Sequence, residues 1–197
     1  ILRRLTGISY VVFVAGIEVW NIKTTLLKKT LKNARLIVSV SDYTAKRLKD
    51  QIETLEEKIR IVPPTVRENL FVIKEKPEYL VRRHGLQGKE TLLTVARLRP
   101  DEEEKGYLKV IDALPELQKE FPNIQYVIVG AVLKEFGDNR ERIRAYAKER
   151  GVGDCVHIVG EVTNKELADY YNLCDVFVMP STQEGFGIVF LEALASG

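Results

Sequence analysis

Cysteine is scarce in this sequence of 197 residues, which contains only two. Cys155 and Cys174 each lie at the edge of an apolar run, with no Cys-x-x-Cys spacing and no pair of histidines near them. A disulfide framework is therefore excluded, and so is a metal site of the usual ligand spacing. We expect both cysteines to be small core residues of a protein from a reducing compartment.

Histidine is equally scarce, with two residues, and neither one is in a context typical of catalysis. His157 alternates with apolar neighbours in VHIVG, which indicates a strand histidine whose polar atoms are satisfied inside the fold. His84 precedes Gly85, where we expect a helix to end. Acid–base chemistry by histidine is therefore not the expected mechanism.

Long apolar runs and glycine-rich nucleotide fingerprints are also missing. The longest apolar run, residues 7–17, is too short to span a bilayer, and we interpret it as a core strand. The first residues, ILRRLTG, lack the ordered regions of a signal peptide, so we expect a cytoplasmic protein. No Gly-x-Gly-x-x-Gly opens a predicted helix, which disfavours a nucleotide-binding dehydrogenase.

Positive charge is concentrated in the first third of the chain. Residues 1–62 carry 12 Lys and Arg against 6 Asp and Glu, whereas residues 63–197 carry 18 against 22. The cluster of Lys28, Lys29, Lys32 and Arg35 has two interpretations: a peripheral contact with an anionic inner membrane face or an acidic acceptor, or a solvated helix face. We expect no nucleic-acid partner, because the aromatic residues lie inside apolar runs and not among the basic ones.

Short apolar runs alternate with amphipathic stretches along the chain. This alternation is typical of βαβ units, so we predict the α/β class with parallel sheets buried on both faces. The predicted strands are residues 9–14, 36–40, 59–62, 91–95, 124–129, 155–159 and 175–179. The predicted helices are residues 41–52, capped by Ser41; 107–121, with a restart at Pro115; 138–150, ended by Gly151; and 163–173, opened by a capping box from Thr163 to Glu166.

Two prolines after a strand, in Val62-Pro63-Pro64-Thr65, mark the predicted domain boundary. The first domain is then residues 1–62 and the second is residues 63–197. The first domain has only three predicted strands, which is few for a doubly wound domain of typical size. We therefore expect it to be a partial domain.

The last stretch of sequence contains an unexpected carboxylate. Residues 188–195 are apolar except for Glu192, and burying an unpaired carboxylate costs on the order of several kcal/mol. Glu192 therefore needs a partner, unless it lies on a solvated edge of its helix. The turn before that helix, Gly185-Phe186-Gly187, allows close backbone approach to a ligand, and a helix N-terminus attracts phosphate.

The spacing along this helix suits a ligand larger than phosphate. At roughly 1.5 Å per residue, Glu192 lies about 7.5 Å along the helix from Gly187, within reach of a sugar hydroxyl beyond a bound phosphate. Glu184, ahead of the turn, is placed to accept hydroxyl groups on the opposite side.

A second set of residues follows the strand in TLLTVARL. Arg97 comes off the end of this strand, and Lys105-Gly106 follows a polar loop. Ligands of open parallel sheets bind outside the carboxyl ends of the strands, so these two cations are placed to neutralise a diphosphate. The alternative is that both are ordinary surface cations.

Several motifs together resemble one family. Glu184 to Glu192 resembles the E-x7-E signature of retaining glycosyltransferases of family 4, which have the GT-B fold of two Rossmann-like domains. VARLRPDEEEKG resembles that family's G-R-L…K-G segment, and residues 156–197 are similar to its pattern throughout. LIVSVSDYTAKRL with IRIVPP resembles the end of its first domain.

The resemblance implies a retaining, metal-independent transfer of a hexose-like sugar from a UDP-, GDP- or ADP-sugar to a sugar, lipid-linked or other hydroxyl acceptor. It implies no cofactor beyond this co-substrate. Arg97 and Lys105 would bind the diphosphate, Glu192 the ribose hydroxyls, and Glu184 the transferred sugar. The donor cradle would be completed by main-chain groups of Gly185, Phe186, Gly187, Ile188 and Val189, with Val162 against the base.

This sequence departs from the family pattern in four places. Ala96 stands where the family usually has Gly, and the loop from Arg97 to Lys105 is longer and more acidic than usual. Ala15 replaces a histidine that would contact the sugar, which leaves the role of Glu18 open. Pro64-Thr65-Val66 replaces the usual Asn-Gly-Val.

The resemblance also implies that the chain covers about the middle half of such an enzyme, with both domains incomplete. We therefore expect the 197 residues by themselves to turn over substrate poorly. Two alternatives remain open at this point: a non-catalytic GT-B-like protein that binds nucleotide or sugar, and a sugar phosphorylase of the same fold that uses inorganic phosphate.

Overall fold

The computed structural model describes residues 7–100, 103–131 and 138–197. Its contacts divide the chain into two compact units: a first unit of Ile1–Thr65 with Gln183–Ile188, and a second unit of Val66–Thr182 with Val189–Gly197. The division in sequence thus falls three residues beyond the predicted one. The membership of Gln183–Ile188 in the first unit was not anticipated, because it depends on packing between segments far apart in sequence.

The first unit contains a parallel sheet of three strands in the order β1-β2-β3. Val11 pairs with Leu36, and Ile37 pairs with Ile59. The strands are β1 (Val11–Val14), β2 (Leu36–Ser39) and β3 (Ile59–Ile61). The helices are α1 (Ile17–Trp20), α2 (Thr25–Asn33) and α3 (Asp42–Gln51), followed by a 3-10 helix at Glu53–Lys58.

One face of this sheet carries the core of the first unit. Val14, Ile37 and Ile59 pack with buried apolar residues of the helices, such as Leu31 and Leu48. On the opposite face Val11 and Phe13 are exposed, Phe13 by 78%. The prediction of a sheet buried on both faces is therefore wrong for the described part of this unit, because its helices pack on one side only.

The second unit contains a parallel sheet of four strands in the order β6-β5-β4-β7. The strands are β4 (Thr91–Val95), β5 (Gln125–Val129), β6 (Val156–Gly160) and β7 (Val176–Phe177). The helices are α4 (Glu78–His84), α5 (Tyr107–Glu120), α6 (Arg140–Glu149), α7 (Asn164–Leu173) and α8 (Ile188–Ala195), with 3-10 turns at Glu103–Lys105 and Gly153–Cys155. The first residue of α8, Ile188, is grouped with the first unit.

The sheet of the second unit is buried on both faces, as predicted. Successive residues of β5 alternate between two apolar clusters: Tyr126 and Ile128 pack with residues of α5 and α6, such as Ile111 and Ile143. Val127 and Val129 pack on the other side with residues of α4 and α7. The α/β class and all seven predicted strands are confirmed.

Local signals account for the helix ends. Ser41 Oγ accepts a hydrogen bond from Thr44 N at the start of α3, and Thr163 and Glu166 form the predicted capping box of α7. Helix α4 ends at His84, and Gly85 follows with φ of 62°, a left-handed conformation that favours glycine. Pro115 was expected to interrupt the helix, but α5 continues through it.

Some sequence predictions fall on parts of the chain that the structure does not describe. Residues 101 and 102, in the acidic loop between Arg97 and Lys105, lie outside the described residues. Residues 1–6, which bear on the signal-peptide prediction, also lie outside them. Within the described ranges, no helix has both the length and the apolar character that crossing a membrane requires.

Candidate functional site

The loops that follow the strands of the second unit lie at one edge of its sheet. All four strands are parallel, so their carboxyl ends point the same way. In open α/β sheets this edge is where ligands bind. The segments at this edge are residues 96–98, 130–131, 160–162 and 178–182.

Arg97 is held at this edge by the backbone on both sides of it. Ala96 N donates to the carbonyl of Val129 at 3.0 Å, and Leu98 N donates to the carbonyl of Ala131 at 3.1 Å. The side chain of Leu98 is fully buried, while Arg97 is exposed. The strand end therefore anchors a guanidinium at the surface of this edge of the sheet.

Lys105 is placed at the same edge by the glycine that follows it. Gly106 has φ of 82°, and a Cβ added there would lie 2.5 Å from the carbonyl O of Pro180. Thr182 N also donates to the carbonyl of Glu104 at 2.9 Å. The Lys-Gly pair thus packs backbone to backbone against the segment that follows β7, and only glycine fits at position 106.

Two further glycines lie where the other loops of this edge meet: Gly130 allows a close backbone approach, and Gly160 has φ of 89°. A Cβ on Gly130 would lie 1.8 Å from the carbonyl O of Ala96. Gly130 N donates to the carbonyl of Gly160 at 2.9 Å. Sequence reasoning missed these two positions, although a glycine directly after a buried strand was a signal that could have found them.

Val162 follows Gly160 at the end of β6, partly buried against the apolar cluster beneath it. Close by, Arg140 Nη1 lies 3.2 Å from where a Cβ of Gly160 would be. Arg140 is paired with Asp138 through an Nη2–Oδ2 distance of 2.6 Å, and this pairing lowers the pKa of Asp138 to about 2. The sequence analysis did not single out Arg140, which adds a paired cation to this edge.

Glu192 has the partner that its sequence context requires. The phenol of Tyr171, on α7, donates to Glu192 Oε2 at 2.8 Å. Glu192 is half-buried, and burial raises the pKa of its carboxyl group, while the bond from Tyr171 and the charge of Arg67 lower it. The alternative of a fully solvated carboxylate is thereby excluded.

The segment with Glu184 is held within the first unit. A Cβ on Gly185 would lie 1.9 Å from the carbonyl O of Ala15, and one on Gly16 would lie 2.6 Å from Gly185 Cα. Ser41 Oγ donates to the carbonyl of Gly185 at 2.9 Å. The chain near Glu184 is thus fixed by backbone contacts that require glycine at positions 16 and 185.

Glu18, whose role the sequence left open, binds the same turn. Its carboxylate accepts hydrogen bonds from the backbone N–H groups of Ala15 and Gly16. We find that Glu18 stabilises the turn against which Gly185 packs. Sequence reasoning had no signal for this part, since Ala15 and Gly185 are 170 residues apart.

The predicted site residues fall into two sets. Arg97, Lys105 and Val162 lie at the carboxyl edge of the second sheet, and Glu192 and Val189 lie on α8 within the same unit. Glu184, Gly185, Phe186, Gly187 and Ile188 are grouped with the first unit. Among the described residues no three His, Cys, Asp or Glu side chains form a group that could hold a metal ion.

Two α/β units with parallel sheets are the architecture expected of the GT-B class of proteins. The structure is similar to a crystal structure of HepE from Anabaena in complex with UDP and glucose, with a TM-score of 0.82 and 19% identity, covering 98% of this chain and 52% of that one. It is also similar to sucrose-phosphate synthase from Thermosynechococcus elongatus, with a TM-score of 0.77 and 24% identity over 100% of this chain and 50% of that one. The GT-B fold is confirmed.

The family follows from the sequence comparison. Residues 78–197 match the family model of the glycosyl transferases group 1, and the chain belongs to that family. A GDP-mannose-dependent alpha-(1-6)-phosphatidylinositol monomannoside mannosyltransferase from Mycobacterium tuberculosis is 31% identical over 98% of this chain and 51% of its own length. The chain spans about half the length of these curated mannosyltransferase relatives.

Proposed function

We propose that this protein transfers a hexose-like sugar from a nucleoside diphosphate sugar to a hydroxyl acceptor, with retention of anomeric configuration and without a metal ion. The observation that carries the proposal is the arrangement of Arg97 and Lys105 at the carboxyl edge of the second sheet. Each is fixed there by a close backbone contact, in a chain of the glycosyl transferases group 1 family.

The proposed catalytic task is to stabilise the leaving group. As the bond from the sugar carbon to the diphosphate breaks, negative charge grows on the phosphate oxygens. Arg97 can offer paired hydrogen bonds and Lys105 a mobile point charge, so together they do what a metal ion does elsewhere. The N-terminal end of α8, with the backbone from Gly185 to Val189, adds N–H donors and the positive end of a helix dipole.

The two carboxylates would bind hydroxyl groups. We assign the ribose hydroxyls of the donor to Glu192 and the hydroxyls of the transferred sugar to Glu184. The main chain at Val162 would lie against the base. In the proposed reaction the acceptor oxygen bonds to the anomeric carbon on the face that the diphosphate leaves, and the acceptor proton passes to a phosphate oxygen.

The base and the sugar are open to a direct test. The name of the mycobacterial relative specifies GDP-mannose, and the Anabaena structure contains UDP and glucose, so the neighbours favour no single donor. A thermal-shift panel of UDP, GDP, ADP, NAD and inorganic phosphate, run with EDTA, would identify the ligand. We expect one nucleoside diphosphate to raise the melting temperature of this chain selectively.

Other outcomes of this panel would contradict the proposal. A response to inorganic phosphate without nucleoside selectivity would favour the phosphorylase alternative. Stabilisation by a nucleotide only after addition of a divalent metal would contradict metal independence. A folded protein that no ligand shifts would favour the non-catalytic scaffold.

A basic groove in the first unit supports a proposal about the acceptor side. The groove has a volume of about 440 Å³ and is lined by residues of α2, including Lys28, Lys29 and Lys32. Leu26, also in its lining, is 62% exposed. Three cations beside an exposed leucine suit the anionic surface of a membrane, so we propose a peripheral contact here.

A further inference from the structure

We propose that Tyr171 is a positioning residue for donor recognition. Its phenol fixes one oxygen of the Glu192 carboxylate and leaves the other oriented to accept a ribose hydroxyl group. This inference rests on the proposed function, because it takes Glu192 as the ribose-binding group. It adds a residue that neither the sequence motifs nor the comparisons assign.

The phenol is held in one position by aromatic packing. Tyr171 is 4% exposed and belongs to an apolar cluster of the second unit. The ring of Phe71 lies 5.7 Å from it in an edge-on arrangement, and the ring of Phe177 lies at the same distance on a tilt. A ring confined in this way places its oxygen at a fixed point, so its partner on α8 is fixed as well.

The hydrogen-bonding capacity of the pair leaves one acceptor available. A phenol has one hydrogen to donate, and Tyr171 gives it to Glu192 Oε2 at 2.8 Å. The described residues donate no hydrogen bond to Oε1 of Glu192. A carboxylate with one oxygen tethered and the other able to accept is suited to a hydroxyl group that must arrive in one orientation.

The electrostatics of the pair keep each group in the form that it needs. Burial and the neighbouring carboxylate raise the pKa of Tyr171, so the phenol remains a donor at neutral pH. Burial raises the pKa of Glu192, and the bond from Tyr171 acts in the opposite direction. Tyr171 thus favours the ionised form of a half-buried carboxyl group, which is the form that accepts hydrogen bonds.

The adjacent tyrosine provides a matched control. Tyr170 lies on the same helix and is fully buried, and its hydroxyl group is 2.9 Å from Nε2 of His84. Tyr170→Phe and Tyr171→Phe each remove one hydroxyl oxygen from the same helix. The hydroxyl group of Tyr170 contacts His84, whereas that of Tyr171 donates to Glu192. Effects common to both variants therefore report on packing, and an effect confined to Tyr171→Phe reports on Glu192.

The test is a measurement of ribose discrimination by calorimetry. The nucleoside diphosphate that stabilises the wild-type chain is titrated beside its 2′-deoxy and 3′-deoxy forms into Tyr171→Phe, Tyr170→Phe, Glu192→Gln and the Tyr171→Phe/Glu192→Gln double variant. We expect the wild type to prefer the ribose form to at least one deoxy form. We expect Tyr171→Phe to reduce that preference about tenfold, mainly by weakening the ribose form.

The double variant shows whether the two residues act together. If Tyr171 acts through Glu192, Tyr171→Phe/Glu192→Gln discriminates no worse than Glu192→Gln alone. Tyr170→Phe is expected to retain the wild-type preference. Thermal unfolding of each variant checks that all four are folded.

Three results would overturn the inference. If Tyr171→Phe keeps the full preference while Glu192→Gln loses it, Tyr171 only fills space. If Tyr171→Phe weakens ribose and deoxyribose forms equally, the effect is a general defect of packing. If the wild type binds the diphosphate but discriminates against neither deoxy form, Glu192 does not bind ribose. In this titration, the absence of all nucleotide binding is the result that would contradict the proposed transferase function as well.

Discussion

Single residues fix the loops of this protein through contacts that tolerate no side chain. Gly106 faces Pro180, and Gly185 faces Gly16, at distances where a Cβ would overlap backbone atoms. Gly106 and Gly185 directly follow the polar residues of the proposed site, Lys105 and Glu184. The motif glycines therefore have a structural reason that is separate from binding a ligand, since each allows two backbone segments to meet.

We predict that Gly106→Ala destabilises the second unit and abolishes nucleoside diphosphate binding. The new Cβ would meet the carbonyl group of Pro180, and the positive φ of 82° adds strain of about 1–3 kcal/mol. Gly85→Ala is the matched control, because Gly85 has φ of 62° and open space around it. Urea denaturation should show a clearly larger decrease in the free energy of unfolding for Gly106→Ala than for Gly85→Ala. Equal decreases in the two variants would contradict the overlap with Pro180.

At the scale of elements, α4 and β6 meet through two histidines. His84 and His157 have ring centroids 5.6 Å apart. His84 contacts the hydroxyl group of Tyr170, and His157 Nε2 lies 2.8 Å from Gln125 Oε1. Burial lowers the pKa of both histidines, with further lowering by the charges of His157 and Arg83 for His84 and by Lys89 for His157. Both are thus structural residues, as their sequence contexts predicted, and their neutral forms are favoured in the folded state.

This pair makes the stability of the second unit depend on pH. The folded-state pKa values of both histidines lie below the ordinary value of about 6.5. As the pH falls through about 6.5, the unfolded chain therefore binds more protons than the folded protein does. The free energy of unfolding should therefore fall as the pH drops below about 6.5, and level off below the folded-state pKa values. Urea denaturation from pH 7.5 to 5 should show this loss in the wild type and less of it in a His84→Gln/His157→Gln variant. Identical pH profiles would contradict the prediction.

Helix α2 carries the basic groove that we propose as a membrane contact. We predict that the chain binds vesicles containing phosphatidylserine more tightly than vesicles of phosphatidylcholine, and that high salt weakens this binding. A Lys28→Glu/Lys29→Glu variant should lose at least about tenfold in binding. The control variant Lys148→Glu/Lys165→Glu makes the same change of charge at exposed positions of the second unit. In a cosedimentation assay it should bind phosphatidylserine vesicles much more tightly than Lys28→Glu/Lys29→Glu does. Equal losses in the two variants would assign the effect to net charge alone.

At the scale of the whole molecule, local sequence patterns predicted the elements but not the contacts between distant segments. Apolar runs of strand length were enough to find all seven strands, and Thr163 with Glu166 was enough to find the start of α7. Helix α2 was not given bounds from the sequence, although a solvated helix face was one interpretation of its lysines, because its polar residues outnumber the apolar ones that pack inward, such as Leu31. A restart at Pro115 was predicted, but α5 runs from Tyr107 to Glu120 without interruption.

The candidate site shows the same limit. Arg97, Lys105 and Glu192 could be selected because strand ends and unusual polar residues are visible in the sequence. Tyr171 could not be selected, since nothing in the sequence of α7 shows which of two adjacent tyrosines faces a carboxylate. The grouping of Gln183–Ile188 with the first unit depends on Gly16 and Ser41, which only the folded structure brings to Gly185.

The central claim is that Arg97 and Lys105 bind a diphosphate without a metal ion. Its most direct test is calorimetric titration of the selected nucleoside diphosphate, in EDTA, into the wild type, Arg97→Ala, Lys105→Ala and the control Lys119→Ala. Lys119 is an exposed cation near the end of α5 that pairs with Glu116. We predict at least tenfold weaker binding for Arg97→Ala and Lys105→Ala, as expected for lost charge-assisted hydrogen bonds, and wild-type affinity for Lys119→Ala. Unchanged affinity in both site variants, or binding that appears only when a divalent metal is added, would contradict the claim.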